Sequence, residues 1–253
     1  MADDSSQPTR PVDGSAATAD VPDAGVLVID KPLGVSSARI VARVKGIARS
    51  AGAAKRYKVG HAGTLDPAAT GVLVLLLGKA TKQCERMMGL PKTYRTTVRL
   101  GATTPTDDAE GEPTPWPDAM PPTLQDIHGV LTRFTGTFEQ TPPQFSAVKV
   151  GGRRAYAAAR SGETVEIEPK TVRCDRLELV RYDWPDLVLE MDTGRGFYVR
   201  SLARDLGTVL NVGGYLTALR RTAAGPFSVD NAVDIETLDR DGISAHLFHE
   251  VPA

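Results

Sequence analysis

Six consecutive apolar residues, Val72–Leu77 (VLVLLL), follow Gly71 and constrain this chain more than any other stretch. The run is far too short to cross a membrane. It lacks the alternation of a half-exposed strand, so it reads as a strand buried on both faces. The segment just before it, Gly60–Thr70 (GHAGTLDPAAT), is a glycine-containing loop. Between Gly60 and Lys82 the only carboxylate is Asp66. Pro67 biases the residue before it toward extended backbone, so Asp66 is expected outside any helix. A lone acid on a constrained loop beside a rigid strand suits nucleophilic or acid/base chemistry. An Asp before Pro can equally close a turn by bonding backbone amides. The local pattern leaves both readings open.

A formal net charge of −1 argues against a nucleic-acid partner until the charge is mapped along the chain. Residues 1–24 carry five Asp against one Arg, and residues 226–253 are also acidic. Between Lys31 and Leu65 there is no acid, but there are eight bases: Lys31, Arg39, Arg43, Lys45, Arg49, Lys55, Arg56 and Lys58. Residues 145–160 add Lys149, Arg153, Arg154 and Arg160, again without an acid. Such segregation suits a phosphate-facing surface, because neutralising phosphates releases counterions; a solvated basic helix face is the alternative. Cys84 and Cys174 are far apart and lack CxxC spacing, which fits idle thiols in a reducing cytoplasm. The four histidines, His61, His128, His246 and His249, form no metal-ligand pattern with them, so no metal is expected. No signal-peptide pattern opens the chain, and a cytoplasmic location is expected.

In chain order, residues 1–24 are expected to be a disordered acidic tail. Val26–Ile29 reads as a strand, and Ser36 or Ser37 as the cap of a helix. That helix would bury Ile40, Val41, Val44, Ile47 and Ala48 and present Arg39, Arg43 and Lys45. Lys79–Met88 reads as helical, and Tyr94–Leu100 as an alternating strand. A polar loop covers 101–122; Leu124–Phe134 is a helix with Ile127, Val130, Leu131 and Phe134 inward. Phe145–Val150 reads as a strand, Gly151-Gly152 as a turn and Ala155–Arg160 as a short helix. Further strands are expected at Arg173–Tyr182 and Leu187–Met191. A helix follows, with Val199, Leu202, Leu206 and Leu210 inside. Strands interleaved with helices, without a regular βαβ rhythm, argue for an α+β fold with a mixed, mainly antiparallel sheet.

The string GHAGTLDPAATG followed by LLLGKATK resembles the catalytic motif of the TruB family of tRNA pseudouridine synthases. KPLGVSS, TDDAEG (with Pro105 where the family often has Asp), TGRGFYVRSLARDLG and GGYLTALRRT resemble further family segments, in the family's order. The resemblance runs from about residue 26 to about residue 240. It implies the pseudouridine synthase fold: a catalytic domain over 25–240, a thumb-loop insertion at about 140–169, and a short tail over 241–253. Many bacterial relatives continue into a small RNA-binding domain of the PUA type, which this sequence is expected to lack. Pro226–Val233 resembles the strand that closes the catalytic domain.

By that resemblance, Asp66 is the catalytic aspartate, Arg200 its charged partner, and Tyr94 the ring that stacks on the target base. Tyr198 and Leu219 would wall the pocket. His61 would fill the stack that a flipped uridine leaves. Lys31, Lys58, Lys149, Arg153 and Arg154 would hold phosphates and position the RNA without reading its sequence. The expected reaction is isomerisation of uridine-55 in the tRNA T-loop. It loses no group and oxidises nothing, so it calls for no cofactor. The expected partner is the tRNA T-arm, with the protein a monomer away from membranes. Two other readings stand beside this one. An RNA-binding module with incidental catalysis would not need Asp66, Tyr94 and Arg200, and a two-carboxylate glycosidase would need a second acid that the motif lacks.

Overall fold

The computed structural model describes residues 21–146, 148–150, 153–155, 159 and 165–248. Most of the expected acidic tail, the Gly151-Gly152 turn, most of the 155–160 helix, Arg160 and His249 lie outside the described residues. In order, the chain forms β1 (Ala24–Lys31), α1 (Ser37–Ser50), β2 (Val59–His61) and β3 (Ala69–Gly78). A 3-10 turn (Lys79–Gln83) then leads into α2 (Cys84–Met88) and β4 (Lys92–Leu100). Next come the short strands β5 (Ala102–Thr103) and β6 (Thr114–Pro115), α3 (Leu124–Arg133) and β7 (Gly136–Gln140). The short pair β8 (Lys149–Val150) and β9 (Arg153–Arg154) precedes the long strands β10 (Lys170–Asp183) and β11 (Asp186–Thr193). The chain ends through α4 (Val199–Val209), β12 (Gly214–Ala224), β13 (Phe227–Ser228), α5 (Ile235–Asp241) and β14 (Leu247–Phe248). The pairings between named strands for which a register is defined are antiparallel. No helix among the described residues is long and apolar enough to cross a membrane.

Two compact units divide the chain, with one boundary after the first residue of β4 and the other inside β12. The first contains the described residues up to Lys92 together with those from Arg220 onward. Its centre is β3. Val72 to Leu77 are each at most 1% exposed, as a strand with no polar alternation requires. β3 pairs along its length with β1, from Ala24↔Gly78 to Lys31↔Gly71, and Val59–His61 of β2 pair with it as well. α1 starts where expected: the Ser36 side chain accepts from the Arg39 N–H, and Ile40, Val44 and Ala48 are buried. Val41 and Ile47 sit half-buried at the edge of that face, while Arg39, Arg43 and Arg49 are exposed.

Two features of this unit depart from expectation. Pro226–Val233 holds only the two-residue strand β13 and a 3-10 turn, and the long strand is β12, just before it. The terminal stretch expected as a tail contains β14, whose Leu247 and Phe248 are 2% exposed and pair with Leu27 and Val26. Phe248 also meets Phe227 edge to face, with ring centroids 5.5 Å apart.

The second unit runs from Thr93 to Leu219. β4 alternates buried and open positions residue by residue, the period of a half-buried strand. β10 and β11 form a long hairpin with two register shifts, and β7 pairs with the start of β10. α3 is entered through a capping box in which Thr123 and Asp126 satisfy each other's main-chain amides. The strand expected over Phe145–Val150 is confined to Lys149–Val150, because the main chain from Gln144 to Ser146 bends.

Candidate active site

Asp66 lies in the first unit, outside regular structure, as the following proline requires. Its neighbours Leu65 and Ala69 are buried at 3% and 1%, which tethers the loop to the core on both sides, while Asp66 is half-buried. The turn closes through the main chain, with Ala69 N–H donating to the Asp66 carbonyl at 3.0 Å.

Side chains from three other elements hold the backbone around it. Ser37, at the start of α1, donates to the Leu65 carbonyl at 2.8 Å and accepts from the Leu65 N–H at 2.9 Å. Arg221 of β12 donates to the Gly63 carbonyl at 3.0 Å and to the Val72 carbonyl at 2.7 Å. Lys31, at the end of β1, donates to the carbonyls of Pro32, Val35 and Pro67 at 2.8, 2.7 and 3.4 Å. The KPLG segment also touches the loop directly, through Gly34 N–H to the Pro67 carbonyl at 2.8 Å.

Lys31 therefore corrects one expectation. The sequence suggests a phosphate contact, but Lys31 is fully buried and its ammonium donates to main-chain carbonyls. Burial pulls its pKa down to about 8, with Asp66 working in the opposite direction and Arg221 adding to the fall. The other bases of the 31–65 segment remain at the surface: Arg39, Arg43, Arg49, Lys55, Arg56 and Lys58 are exposed, and Lys45 is half-buried. His61 is half-buried in β2, and its Nδ1 is buried with no hydrogen-bond partner among the described residues. Burial, then the nearby Arg221 charge, lowers the His61 pKa, so its imidazole is neutral at pH 7.

The remaining expected site residues belong to the second unit. Tyr94 sits on the buried side of β4 at 9% exposure. Arg200, in the first turn of α4, is 8% exposed, which rules out an ordinary surface arginine. Its guanidinium donates to the Thr106 and Phe145 carbonyls at 3.2 and 3.0 Å and pairs with Asp108 at 3.5 Å. Asp108 is itself held by Thr106 Oγ1 at 2.6 Å and the Glu110 N–H at 3.0 Å. One turn further along α4, Arg204 pairs with Asp107 at 3.0 Å and donates to the Thr141 carbonyl at 2.8 Å. Burial pushes the Asp107 carboxyl up against the pull of Arg204 and Arg200.

Tyr198 is the residue just before α4, half-buried, and Gln140 grips its main chain from both sides. The Tyr198 N–H donates to Gln140 Oε1 at 2.8 Å, and Gln140 Nε2 donates to the Tyr198 carbonyl at 3.1 Å. Leu219 is half-buried near the end of the unit. For Lys149, Arg153 and Arg154 the backbone forms the β8–β9 pair.

Three functional-looking residues were not singled out from the sequence: Arg221, Gln140 and Ser37 in its actual role. Ser36 caps the helix, and Ser37 turns inward to the Asp66 loop. Arg221 carried one signal, a second arginine beside Arg220 in a strand whose other polar residues are two threonines.

Comparison with known proteins follows the same stretches. A model of the TruB family pseudouridylate synthase N-terminal domain matches residues 50–199. One of the tRNA pseudouridylate synthase B C-terminal domain matches residues 200–246. The tRNA pseudouridine synthase B of Mycobacterium tuberculosis (strain ATCC 25618 / H37Rv) is 44% identical over 228 residues, 88% of this chain and 74% of the relative. That of Dinoroseobacter shibae (strain DSM 16493 / NCIMB 14021 / DFL 12) is 48% identical over 229 residues, covering 88% and 73%. Among solved structures, a Cbf5-Nop10-Gar1 complex superposes with a TM-score of 0.65 at 28% identity, over 85% of this chain. An H/ACA RNP bound to a substrate RNA containing 2'-deoxyuridine gives 0.63 at 25% identity, over 88%. The chain spans 54% and 58% of the lengths of those two solved chains.

Proposed function

The chain belongs to the TruB family of pseudouridine synthases, and we propose that it isomerises uridine-55 in the T-loop of tRNA, with Asp66 as the catalytic carboxylate. As a family member it is an isomerase acting on tRNA. The position modified, the chemistry and the residue roles are our reading.

The observation that carries this reading is the Asp66 loop. It holds the only carboxylate of the motif, and side chains from three elements (α1, β1 and β12) hold its main chain, with Arg221 also linking it to the buried strand β3. The reaction breaks the N1–C1′ bond of uridine, turns the detached uracil and rejoins it through C5. Carbon, nitrogen and oxygen are all conserved, and the C5 proton moves to nitrogen. One ionised carboxylate suffices to start it, and Arg200 is assigned to orient that carboxylate and to favour its charged form. Tyr94 offers a π-face for the uracil, and Tyr198 and Leu219 bound the pocket.

A T-loop uridine is stacked inside a folded element and must be everted, at a cost of a few kcal/mol. A neutral, half-buried His61 is suited to fill the vacated stack, since an uncharged ring loses little on leaving water. The exposed bases of α1 and of residues 55–58, with Lys149, Arg153 and Arg154 of the thumb, would hold phosphates, so shape rather than sequence would select the substrate.

The test is to incubate the full chain with an unmodified tRNA transcript and map pseudouridine by position. Product at uridine-55 alone is expected; product elsewhere, or none, would overturn the assignment. Changing Lys149, Arg153 and Arg154 together to Ala should reduce the slope of log K against log salt by about 2–3. An unchanged slope would remove the thumb from the phosphate contacts.

A further inference from the structure

The geometry points to Arg221 and Ser37 as positioning residues for the reaction: together they set the main chain leading into Asp66, and with it the orientation of the carboxylate. This inference rests on the assignment of Asp66 as the reacting group.

Three observations carry it. First, the loop is tied at every second residue, and each tie comes from a different element: Gly63 by Arg221 of β12, Leu65 by Ser37 of α1, and Pro67 by Lys31 of β1. Ser37 satisfies both main-chain groups of the residue directly before Asp66, which leaves Leu65 no freedom to rotate its peptides. Second, Arg221 is 2% exposed, and the hydrogen bonds defined for its guanidinium go to carbonyls. A buried cation whose defined hydrogen bonds go to main-chain carbonyls is an expensive way to join two strands. An apolar residue would pack the same space at lower cost, so the expense signals a task other than packing. Third, the same guanidinium spans the loop and the buried strand, linking Gly63 to Val72. A displacement of β3 against β12 is thereby transmitted to the loop.

If Arg221 were only mortar between strands, its loss would lower stability and leave the chemistry of the folded fraction alone. As a positioning residue it should affect the chemical step more than binding, because a misplacement of about 1 Å can cost on the order of 100-fold in rate. The variants are Arg221→Met, Arg221→Lys and Ser37→Ala, each in the full chain. The single-turnover rate constant with saturating enzyme and the tRNA Kd are measured, with folding checked by circular dichroism.

Arg221→Met and Ser37→Ala are expected to slow the single-turnover step by about 10-fold or more, with the Kd changed by less than about threefold. Arg221→Lys keeps the charge and can still reach one carbonyl, so it should recover part of the rate that Arg221→Met loses. Folded variants with wild-type rates would overturn the inference. So would rate losses matched by equal losses of binding, or a Lys variant no faster than the Met variant. If Arg221→Met does not fold, Arg221→Lys and Ser37→Ala decide. Wild-type protein and Asp66→Asn run alongside. An inactive wild type would refute the functional assignment itself. An active wild type, an inactive Asp66→Asn and fully active Arg221 and Ser37 variants would refute the positioning role alone.

Discussion

Adding one methyl group at Gly71 tests whether the strands under the Asp66 loop are packed as closely as the structure indicates. Gly71 opens the buried run of β3 with φ of 99°, a left-handed conformation open to glycine and strained for other residues. A Cβ built there would sit 2.1 Å from the Arg221 carbonyl oxygen, 2.9 Å from its carbon and 3.0 Å from its nitrogen. Relieving that overlap requires β3 and β12 to part by roughly 1 Å in a region packed at solid-like density. The backbone strain costs about 1–2 kcal/mol and the overpacking about 1–3 kcal/mol. Gly71→Ala should therefore lose about 2–5 kcal/mol, a large share of an ordinary domain's stability.

Gly46 provides the control with the opposite sign. It lies inside α1 with nothing within 4 Å of its Cβ direction, so Gly46→Ala should gain about 0.5–1 kcal/mol. Urea unfolding followed by far-ultraviolet circular dichroism gives both changes from the shift in midpoint at constant m. A Gly71→Ala protein within about 1 kcal/mol of wild type would refute the close approach of β3 to β12.

Two further outcomes follow from the same contacts. Lys31 titrates at about 8 in the folded chain against an ordinary 10.5, so between these values the unfolded chain binds more protons. Its contribution to stability should therefore rise with pH across that window, by roughly 3 kcal/mol, and the difference between wild type and Lys31→Met should grow accordingly. Parallel pH profiles for the two proteins would contradict a buried, charged Lys31. Gln140 is 1% exposed and satisfies both main-chain groups of Tyr198. Gln140→Leu should cost about 1–3 kcal/mol in urea unfolding, because the Tyr198 N–H loses its acceptor while its carbonyl keeps the Leu202 N–H; a cost below about 0.5 kcal/mol would show that water or a neighbour replaces Gln140.

Elements whose cause is local were legible in the sequence. The unbroken apolar run foretold a doubly buried β3, the Ser36-Ser37 pair foretold the start of α1, and alternation foretold β4. The loop conformation of Asp66 followed from Pro67 alone. What escaped has distant causes. Lys31 reads as a surface base because its burial depends on carbonyls as far away as Pro67. Arg221 reads as part of a basic pair, and only the fold reveals that its neighbour Arg220 pairs with Asp30 while Arg221 turns inward to Gly63 and Val72. The two-residue strand β14 has no periodicity to detect, and it exists because Val26 and Leu27 of β1 offer it an edge. Ser37 looked interchangeable with Ser36, and the difference between them is a loop 28 residues away.

The carboxylate of residue 66 is the centre of the proposed reaction. Asp66→Asn keeps the shape of the side chain and removes its charge, so the variant should bind tRNA with near wild-type affinity and form no pseudouridine in a single-turnover assay. Product from Asp66→Asn at the wild-type rate would contradict the assignment of Asp66 as the reacting group.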